Sequence, residues 1–154
     1  MTFIKIIPKG QNVISTWWVF TSKTEKDNDI IKFMAWLVAR EFSQKKGIDF
    51  DLTYSPTLYL DCIKLILFIA AMFKWNVHQL YIKADYINAD LDKNIYVFIP
   101  PGDVNYKKGF LLLNKTLFGL KQSGRKWNIK ITNFLIDNGF VQLNSEKCIF
   151  KNGC

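Results

Sequence analysis

The chain has 154 residues, of which 49% are hydrophobic, and this size suits one domain or part of a larger one. So many apolar residues can form a core, which excludes a wholly disordered chain. The longest apolar run, residues 65–73, is far shorter than the roughly 20 residues that a membrane-spanning helix needs. The N-terminus lacks the pattern of a secretory signal. We therefore expect an intracellular protein, cytoplasmic or nuclear, without membrane contact.

The charge balance and the cysteines restrict the possible partners. Lysines and arginines number 21 against 13 acidic residues, a net charge of +8. This excess favours contact with nucleic acid, although a merely soluble basic protein can have the same balance. The three cysteines, Cys62, Cys148 and Cys154, and the single histidine, His78, show no zinc-ligand spacing. We therefore expect no metal site built from them, and a reducing compartment.

The first part of the chain predicts a β-hairpin. Residues 13–21 and 30–42 are rich in β-branched and aromatic side chains, and the polar residues 23–29 separate them. Residues 47–56 predict an extended connection, since Ser55 precedes a proline and is disfavoured in the helical region.

The rest of the chain mixes helices and strands, so the sequence predicts an α+β fold. Apolar residues at helical spacing predict helices at residues 61–75, with Asp61 as N-cap, and at residues 121–138, ending before Gly139. Short apolar or β-branched runs predict strands at residues 77–83, 94–99, 110–113 and 148–150.

Five stretches in order resemble the reverse transcriptase domain of copia-type LTR retrotransposons, a part of their Pol polyprotein. They are WWVF at 17–20, LVAREFSQKKGIDFDLTYSPT at 37–57, HQLYIKADYINADLDKNIYVFIPPG at 78–102, LNKTLFGLKQSGRKW at 113–127 and NGFVQLNSEKCIFKN at 138–152. The resemblance implies a partial polymerase fingers-and-palm fold, with an antiparallel sheet packed with two main helices. Residues 13–57 would form a fingers-like hairpin and connection. Residues 58–154 would form an incomplete palm.

The resemblance also implies a chemistry, which is RNA-directed DNA synthesis by nucleotidyl transfer on a template–primer. In the family one Asp on a strand and two in a Tyr-Val-Asp-Asp hairpin hold two divalent ions such as Mg²⁺. That hairpin motif does not occur in this sequence, which therefore resembles a truncated fragment. We leave open whether the chain is an enzyme, a non-catalytic nucleic-acid-binding module or a poorly soluble remnant without function.

Tyr81 stands at the position of the family's first metal-binding Asp. A phenol has a pKa near 10, is neutral at pH 7 and is a poor ligand for Mg²⁺. Asp85 is no ready substitute, because four residues of strand span about 13 Å. A helical turn after Ala84 would shorten that distance, but Asp85 would still approach from a different element. We therefore predict that this chain is catalytically inactive and binds no Mg²⁺.

Other positions of the resemblance imply contacts with nucleotide or nucleic acid. The family's cationic triplet in the fingers is replaced by Met34, Ala35 and Trp36, which we interpret as apolar contacts. Tyr86 falls at the aromatic beside the nucleotide sugar, and Gln122 at an amide that contacts the incoming nucleotide. Without the resemblance, Tyr86 is an ordinary packing residue and Gln122 part of a turn. The candidate phosphate contacts, equally compatible with a solvated helix face, are Lys115, Lys121, Arg125, Lys126 and Lys130.

Overall fold

The computed structural model describes residues 1–152, and it has the predicted α+β architecture. Its two helices are α1 (Leu60–Met72) and α2 (Ser123–Asp137). Its strands are β1 (Thr2–Ile4), β2 (Val13–Ile14), β3 (Thr16–Thr24), β4 (Ile30–Ala39), β5 (Asp90–Phe98), β6 (Phe110–Lys115), β7 (Phe140–Gln142) and β8 (Phe150–Asn152). None of the helices in this described part is both long and apolar enough to cross a membrane.

A four-stranded sheet carries the core. Its order is β1-β6-β5-β2; β5 and β1 pair antiparallel with β6, whereas β2 pairs parallel with β5. The prediction of one strand over residues 13–21 is wrong at Ser15, because Val13 and Ile14 join this sheet and β3 begins a new one at Thr16. The core cluster consists of Ile14, Ala39, Ile95, Val97, Leu113, Leu117 and Leu120.

The predicted hairpin is confirmed as β3 and β4, which pair antiparallel from Thr16↔Ala39 to Thr24↔Ile30. The strand β4 ends at Ala39 and not at residue 42, because residues 41–43 form a 3₁₀ turn. The hairpin is joined to the rest of the molecule where the Ala39 N–H donates to the Phe118 carbonyl at 2.8 Å. Gly119 follows with φ +83°, and a Cβ there would lie 2.2 Å from the Ala39 carbonyl oxygen. Only glycine permits this approach.

Helix α1 forms over Leu60–Met72 and not over residues 61–75, and most of its side chains are exposed. The helix begins at Leu60 with Tyr59 as N-cap, so the assignment of Asp61 as N-cap is wrong. Asp61 lies in the first helical turn instead, where its charge is favourable near the positive end of the helix dipole. Ala70 is the one buried residue of this helix.

The strand predicted at residues 77–83 does not form, and the side chains there are exposed. A β-strand satisfies its backbone N–H and C=O groups through a neighbouring strand. In residues 1–152 the four-stranded sheet has β1 and β2 at its edges, and neither pairs with residues 77–83. Without a partner strand these residues lie in irregular structure, despite their apolar composition.

The C-terminal part follows the prediction more closely. Helix α2 ends at Asp137, and Gly139 takes φ +85° with its N–H donating to the Ile136 carbonyl at 2.9 Å, as expected for a residue just past a helix. The helix contacts β5, β7 and the 3₁₀ turn Tyr86–Asn88. The predicted strand at 148–150 is shifted by two residues, since β8 is Phe150–Asn152 and pairs with β7. Cys154 lies outside the described residues.

Candidate nucleotide and nucleic-acid site

Tyr81 lies on the unpaired 77–83 segment, with 88% of its side chain exposed. The chain does turn helical after Ala84, whose φ is +52°, and Asp85 precedes the 3₁₀ turn Tyr86–Asn88. One oxygen of the Asp85 carboxylate accepts the Tyr86 N–H at 2.9 Å. Across residues 1–152, no three acidic, histidine or cysteine side chains come together as a group that could hold a metal ion. The residue at the expected metal-ligand position, Tyr81, thus has a phenol side chain and lies on an irregular segment.

Tyr86 packs in a small aromatic cluster with Phe118 and Trp36. The ring centroids of Tyr86 and Phe118 are 5.8 Å apart, and those of Trp36 and Phe118 are 5.2 Å apart with the rings nearly perpendicular. The Tyr86 carbonyl accepts a hydrogen bond from the Thr116 hydroxyl, which fixes the turn against the end of β6. The structure therefore brings together Tyr86 and Trp36, two positions that the resemblance singled out. Sequence reasoning missed Phe118. Its position directly before Gly119 was the signal that could have indicated a packed residue.

Gln122 is 98% buried, and its side-chain amide is occupied by the protein itself. Its oxygen accepts a hydrogen bond from Gln44 Nε2 at 2.9 Å, and its nitrogen donates to the Asp49 carbonyl at 3.0 Å. Gln44 in turn accepts the Lys121 N–H at 2.8 Å. These bonds fix the start of α2 to the connection after the hairpin. Each amide atom keeps one further hydrogen-bonding position, but the burial of the side chain limits its access to a nucleotide.

Asp49 extends the same buried network towards the N-terminus. One oxygen of its carboxylate accepts hydrogen bonds from Asn12 Nδ2 at 2.7 Å and from the Lys45 N–H at 2.6 Å. Sequence reasoning missed Gln44 and Asp49, and nothing in their local sequence indicates burial. Beside Gln122 lies a cavity of about 190 Å³, also lined by Arg125 and Lys126. This volume is below the roughly 300–1,000 Å³ of ordinary ligand pockets.

Three of the five predicted phosphate contacts form ion pairs with two aspartates on β5. Lys115 and Lys130 lie 3.4 Å and 3.5 Å from the Asp90 carboxylate, and Lys126 lies 2.6 Å from Asp92. The hydrogen bond and charge of Lys115, with the charge of Lys130, lower the pKa of the Asp90 carboxyl below its usual 3.8. These carboxylates thus remain ionised at neutral pH and offset part of the positive charge.

Two opposing effects set the pKa of Asp92. Partial burial acts to raise it, since desolvation disfavours the charged carboxylate. The hydrogen bond from Lys126, that from the residue's own backbone N–H, and the charges of Lys126 and Lys93 act in the other direction. The second group outweighs the first, so the pKa lies below 3.8. The Asp92–Lys126 pair therefore anchors α2 to β5 in its charged form.

The other two basic candidates, Lys121 and Arg125, have no carboxylate within 4 Å in the described part of the chain. The Lys121 ammonium lies 5.9 Å from the centre of the Phe50 ring, and Arg125 donates to the Tyr54 carbonyl at 3.2 Å. Their positive charge is therefore not offset by an ion pair, unlike that of Lys115, Lys126 and Lys130.

Comparison with known proteins gives a consistent result. The family model described as "Reverse transcriptase (RNA-dependent DNA polymerase)" matches residues 2–154. The chain is 37% identical over 146 residues to the retrovirus-related Pol polyprotein from transposon TNT 1-94 of Nicotiana tabacum, covering 94% of the chain and 11% of the relative. It is 30% identical over 145 residues to the Pol polyprotein from transposon RE1 of Arabidopsis thaliana, covering 93% of the chain and 10% of the relative.

A more distant relative is the Ty1-DR4 Gag-Pol polyprotein of Saccharomyces cerevisiae, 29% identical over 149 residues, with 96% of the chain and 9% of the relative covered. No solved structure is significantly similar to the chain. The chain thus spans about a tenth of the length of the polyproteins that it matches. The match over nearly all of its residues confirms the resemblance found in the five sequence stretches. The chain belongs to the reverse transcriptase family of retrotransposon Pol polyproteins.

Proposed function

We propose that this chain is part of an RNA-directed DNA polymerase whose own polymerase chemistry has been lost. Reverse transcriptases of Pol polyproteins act on nucleic acid and generally use divalent metal ions, for which the family supplies anionic oxygen ligands. The proposed partners are a template–primer nucleic acid and the remainder of a Pol polyprotein, in the cytoplasm or nucleus. The proposed division of the chain is a fingers-like part at residues 13–57 and an incomplete palm at residues 58–154.

Tyr81 is the single observation that carries the proposed loss of activity. Mg²⁺ prefers hard, anionic oxygen ligands, and a neutral phenol does not supply one. Asp85 is the nearest carboxylate in sequence, but it already accepts a hydrogen bond from Tyr86 N–H and belongs to the following turn. The residues present at this position therefore do not fit Mg²⁺, and a nucleotidyl transfer that depends on the ion lacks its first ligand.

Primer extension tests this proposal directly. The purified 154-residue chain, given a primed RNA or DNA template with Mg²⁺ or Mn²⁺, should extend no primer. Because the chain is a small part of a polyprotein, a second protein is needed, in which residues 2–152 replace the aligned segment of the tobacco relative. This chimera should be inactive with Tyr81 and should gain extension when Tyr81→Asp restores the carboxylate.

The matched control is Tyr59→Asp, the same substitution at another exposed tyrosine of the same region. It should leave the chimera inactive, and the unmodified tobacco polyprotein gives the reference rate. Extension by the chain itself, or by the chimera with Tyr81 in place, would show that the proposed loss of chemistry is wrong. An inactive Tyr81→Asp chimera that folds like its parent would show that Tyr81 is not what limits the chemistry.

Of the two candidate nucleotide contacts, Tyr86 is the more accessible. Tyr86 is 36% exposed, whereas Gln122 is 98% buried and already bonded to Gln44 and Asp49. We therefore keep Tyr86 as the proposed nucleotide-facing residue and assign Gln122 a positioning role at the start of α2.

A second candidate function is non-catalytic nucleic-acid binding, favoured by the net charge of +8 and by the unpaired cations Lys121 and Arg125. Each phosphate contact adds to the salt dependence of affinity. Binding of a labelled primer–template should therefore weaken steeply as salt is raised, and Lys121→Gln with Arg125→Gln should reduce the slope. The matched control, Lys126→Gln with Lys130→Gln, should reduce it less, because these two cations already pair with Asp92 and Asp90. Absence of salt-dependent binding at low salt would exclude this function.

A further inference from the structure

One side of helix α1 carries a row of exposed apolar side chains. Leu65, Phe68 and Met72 recur at spacings of three and four residues, so they lie along one side of the helix. They keep 58–63% of their surfaces exposed, whereas Ala70, on the opposite side, is buried. Asp61 extends the row towards the N-terminus, four residues before Leu65. We call the row of Asp61, Leu65, Phe68 and Met72 the α1 stripe.

The exposed apolar surface around the α1 stripe is large enough for a protein interface. Leu60, Phe73 and Trp75 flank the stripe and are 60–65% exposed. A large apolar residue has on the order of 200 Å² of surface, so these three and the three apolar residues of the stripe expose about 700 Å². A standard interface buries about 800 Å² of each partner. A continuous apolar surface of this size is typical of a protein interaction site.

The charges on this surface favour a second copy of the chain as the partner. Residues 59–73 contain one aspartate and one lysine, so the surface has no net charge, although the whole chain carries +8. These two residues, Asp61 and Lys64, already form an ion pair at 3.4 Å. A polyanion therefore gains no counter-charge here. Two copies can meet at this surface without bringing an excess of positive charge into the contact.

The order of the charges selects an antiparallel pair of helices. Asp61 lies seven residues before Phe68, and Lys74 lies six residues after it. If a two-fold axis passes at Phe68, Asp61 of one copy lies about 10 Å along the helix from the axis, close to the level of Lys74 of the other copy. A parallel pair would place Asp61 beside Asp61 and Lys64 beside Lys64, where like charges repel. The antiparallel pair places opposite charges at both ends of the contact.

We propose that two copies of this chain form a two-fold dimer through the α1 stripe, with the two helices antiparallel. Phe68 lies at the axis against its own counterpart, and Leu65 of each copy packs beside Met72 of the other. This contact involves neither nucleic acid nor the expected metal-ligand position. It therefore goes beyond the proposed function and can be tested separately from it.

Sedimentation velocity of the full chain measures this association. The chain has a mass of 18.0 kDa and should sediment at twice that mass. Interfaces of standard size give dissociation constants of about 1 µM or lower, so the dimer should dominate above that concentration. A chain that stays monomeric at about 100 µM, a hundredfold higher, would overturn the proposal. The remainder of a Pol polyprotein would then be the partner of α1.

Phe68 gives the sharpest test, because a residue at the axis meets its own counterpart. Phe68→Glu and Phe68→Lys should each weaken dimerisation by about 100-fold, since each brings two like charges together. An equimolar mixture of the two variants should restore a dimer, because the glutamate of one copy then faces the lysine of the other. The matched control is Phe20→Glu, the same substitution at an exposed phenylalanine of the β3–β4 hairpin, which should leave the dimer unchanged.

Cross-linking tests the direction of the helices. The background is the chain with its three cysteines, Cys62, Cys148 and Cys154, replaced by alanine. A mixture of Leu65→Cys and Met72→Cys should form a dimer with one copy of each when treated with a short bismaleimide. Leu65→Cys alone should form little, because residue 65 faces residue 72 across the axis. Efficient cross-linking of Leu65→Cys alone would show a parallel pair and contradict the antiparallel arrangement.

The remaining outcomes identify other kinds of association. If Phe20→Glu abolishes the dimer and Phe68→Glu does not, the copies associate through the hairpin and the proposed interface is wrong. If species larger than a dimer form and persist in Phe68→Glu, the association is non-specific and the proposal fails. Circular dichroism of the Phe68 variants should match that of the unmodified chain, since this side chain is exposed. Primer extension and salt-dependent binding can each fail while the dimer remains.

Discussion

Two regions of the molecule carry comparable apolar sequences but pack very differently. The packed region consists of the four-stranded sheet, the end of β4 and residues 113–122, and it contains the whole core cluster. The 59–83 segment contains α1 and the irregular residues after it, and Leu65, Phe68 and Met72 are among its exposed side chains. The difference separates elements that a segment can form from its own residues, such as a helix, from elements that need a neighbouring segment, such as a strand.

Within the 59–83 segment, the helix forms and the strand does not. An α-helix satisfies its backbone hydrogen bonds internally, so residues 60–72 are helical even with an exposed apolar surface. A strand needs a neighbour, and residues 77–83 have none among the described residues. The expected position of a metal ligand, Tyr81, lies in this second part. That position therefore lies on irregular backbone and not on a strand.

The largest expected effect contrasts two isoleucines, one in each region. Ile95 is fully buried in β5, whereas Ile66 on α1 keeps 40% of its surface exposed. Ile95→Ala should lower the free energy of unfolding by about 4 kcal/mol, because it removes buried methyl groups and leaves a cavity. Ile66→Ala should lower it by about 1 kcal/mol or less, since alanine also favours the helix. Urea unfolding of both variants checks this; equal losses would show that α1 is packed as tightly as the sheet.

A second contrast uses two glycines with nearly the same backbone angle. Gly119 and Gly47 have φ of +83° and +85°, but a Cβ at Gly119 meets the Ala39 carbonyl oxygen at 2.2 Å, and one at Gly47 meets nothing within 4 Å. Gly119→Ala should cost about 3 kcal/mol of unfolding free energy, from strain and from separation of the hairpin from the core. Gly47→Ala should cost about 1 kcal/mol, from backbone strain alone.

Thermal unfolding of the two glycine variants measures this difference. It isolates the close approach between the hairpin and residues 118–120, because the conformational cost is common to both substitutions. A Gly119→Ala variant no less stable than Gly47→Ala would contradict the docking of the hairpin against this part of the packed region.

The buried amide network should have an intermediate effect. Gln122→Ala leaves Gln44 Nε2 and the Asp49 carbonyl without their partner and should cost about 2 kcal/mol. Gln44→Ala should cost a similar amount, and a double-mutant cycle should give a coupling of about 1 kcal/mol because the two amides bond directly. Gln142→Ala, which removes a local hydrogen bond to the Lys147 carbonyl, is the matched control and should cost less. If the losses of unfolding free energy for the two substitutions simply added, the direct hydrogen bond between the Gln44 and Gln122 amides would be contradicted.

Elements with a strong local pattern could be predicted from the sequence. Helix α2 and its end at Gly139 follow from helical spacing and from a glycine with positive φ, and the hairpin follows from two β-branched runs around a polar turn. Residues 77–83 and the break at Ser15 could not be predicted in this way, because each depends on which strand is available for pairing. Periodicity describes a segment and does not identify its partner.

The same limit applies to the candidate site. The resemblance identified Tyr86, Trp36 and Gln122 as positions of interest, but their partners are distant in sequence. Gln44 lies 78 residues from Gln122, and Phe118 joins Trp36 to Tyr86 through contacts that no local pattern indicates. The sequence therefore identified which positions correspond to the family's nucleotide contacts. The structure was needed to show that the Gln122 amide is hydrogen-bonded to Gln44 and Asp49.

The smallest expected effect concerns pH and the edge of the packed region. The folded-state pKa of Asp92 lies below 3.8, so its ionised carboxylate stabilises the fold above about pH 3.8, and this contribution is lost as the pH falls through the folded-state value. The Asp92 side chain is largely exposed, so solvent screening limits the contribution to about 0.5 kcal/mol or less. Asp92→Asn should therefore make the unfolding free energy fall less steeply in acid.

Lys126→Gln removes the partner of the same ion pair and should reduce the acid dependence in the same way, whereas the two substitutions together should reduce it little further. The matched control is Lys64→Gln, which removes a lysine that lies 3.4 Å from Asp61 on the exposed surface of α1. Melting temperatures measured between about pH 2.5 and 6 test the three variants. If Lys64→Gln changed the acid dependence as much as Lys126→Gln, the Asp92–Lys126 pair would not account for it, and the two regions would differ only in apolar burial.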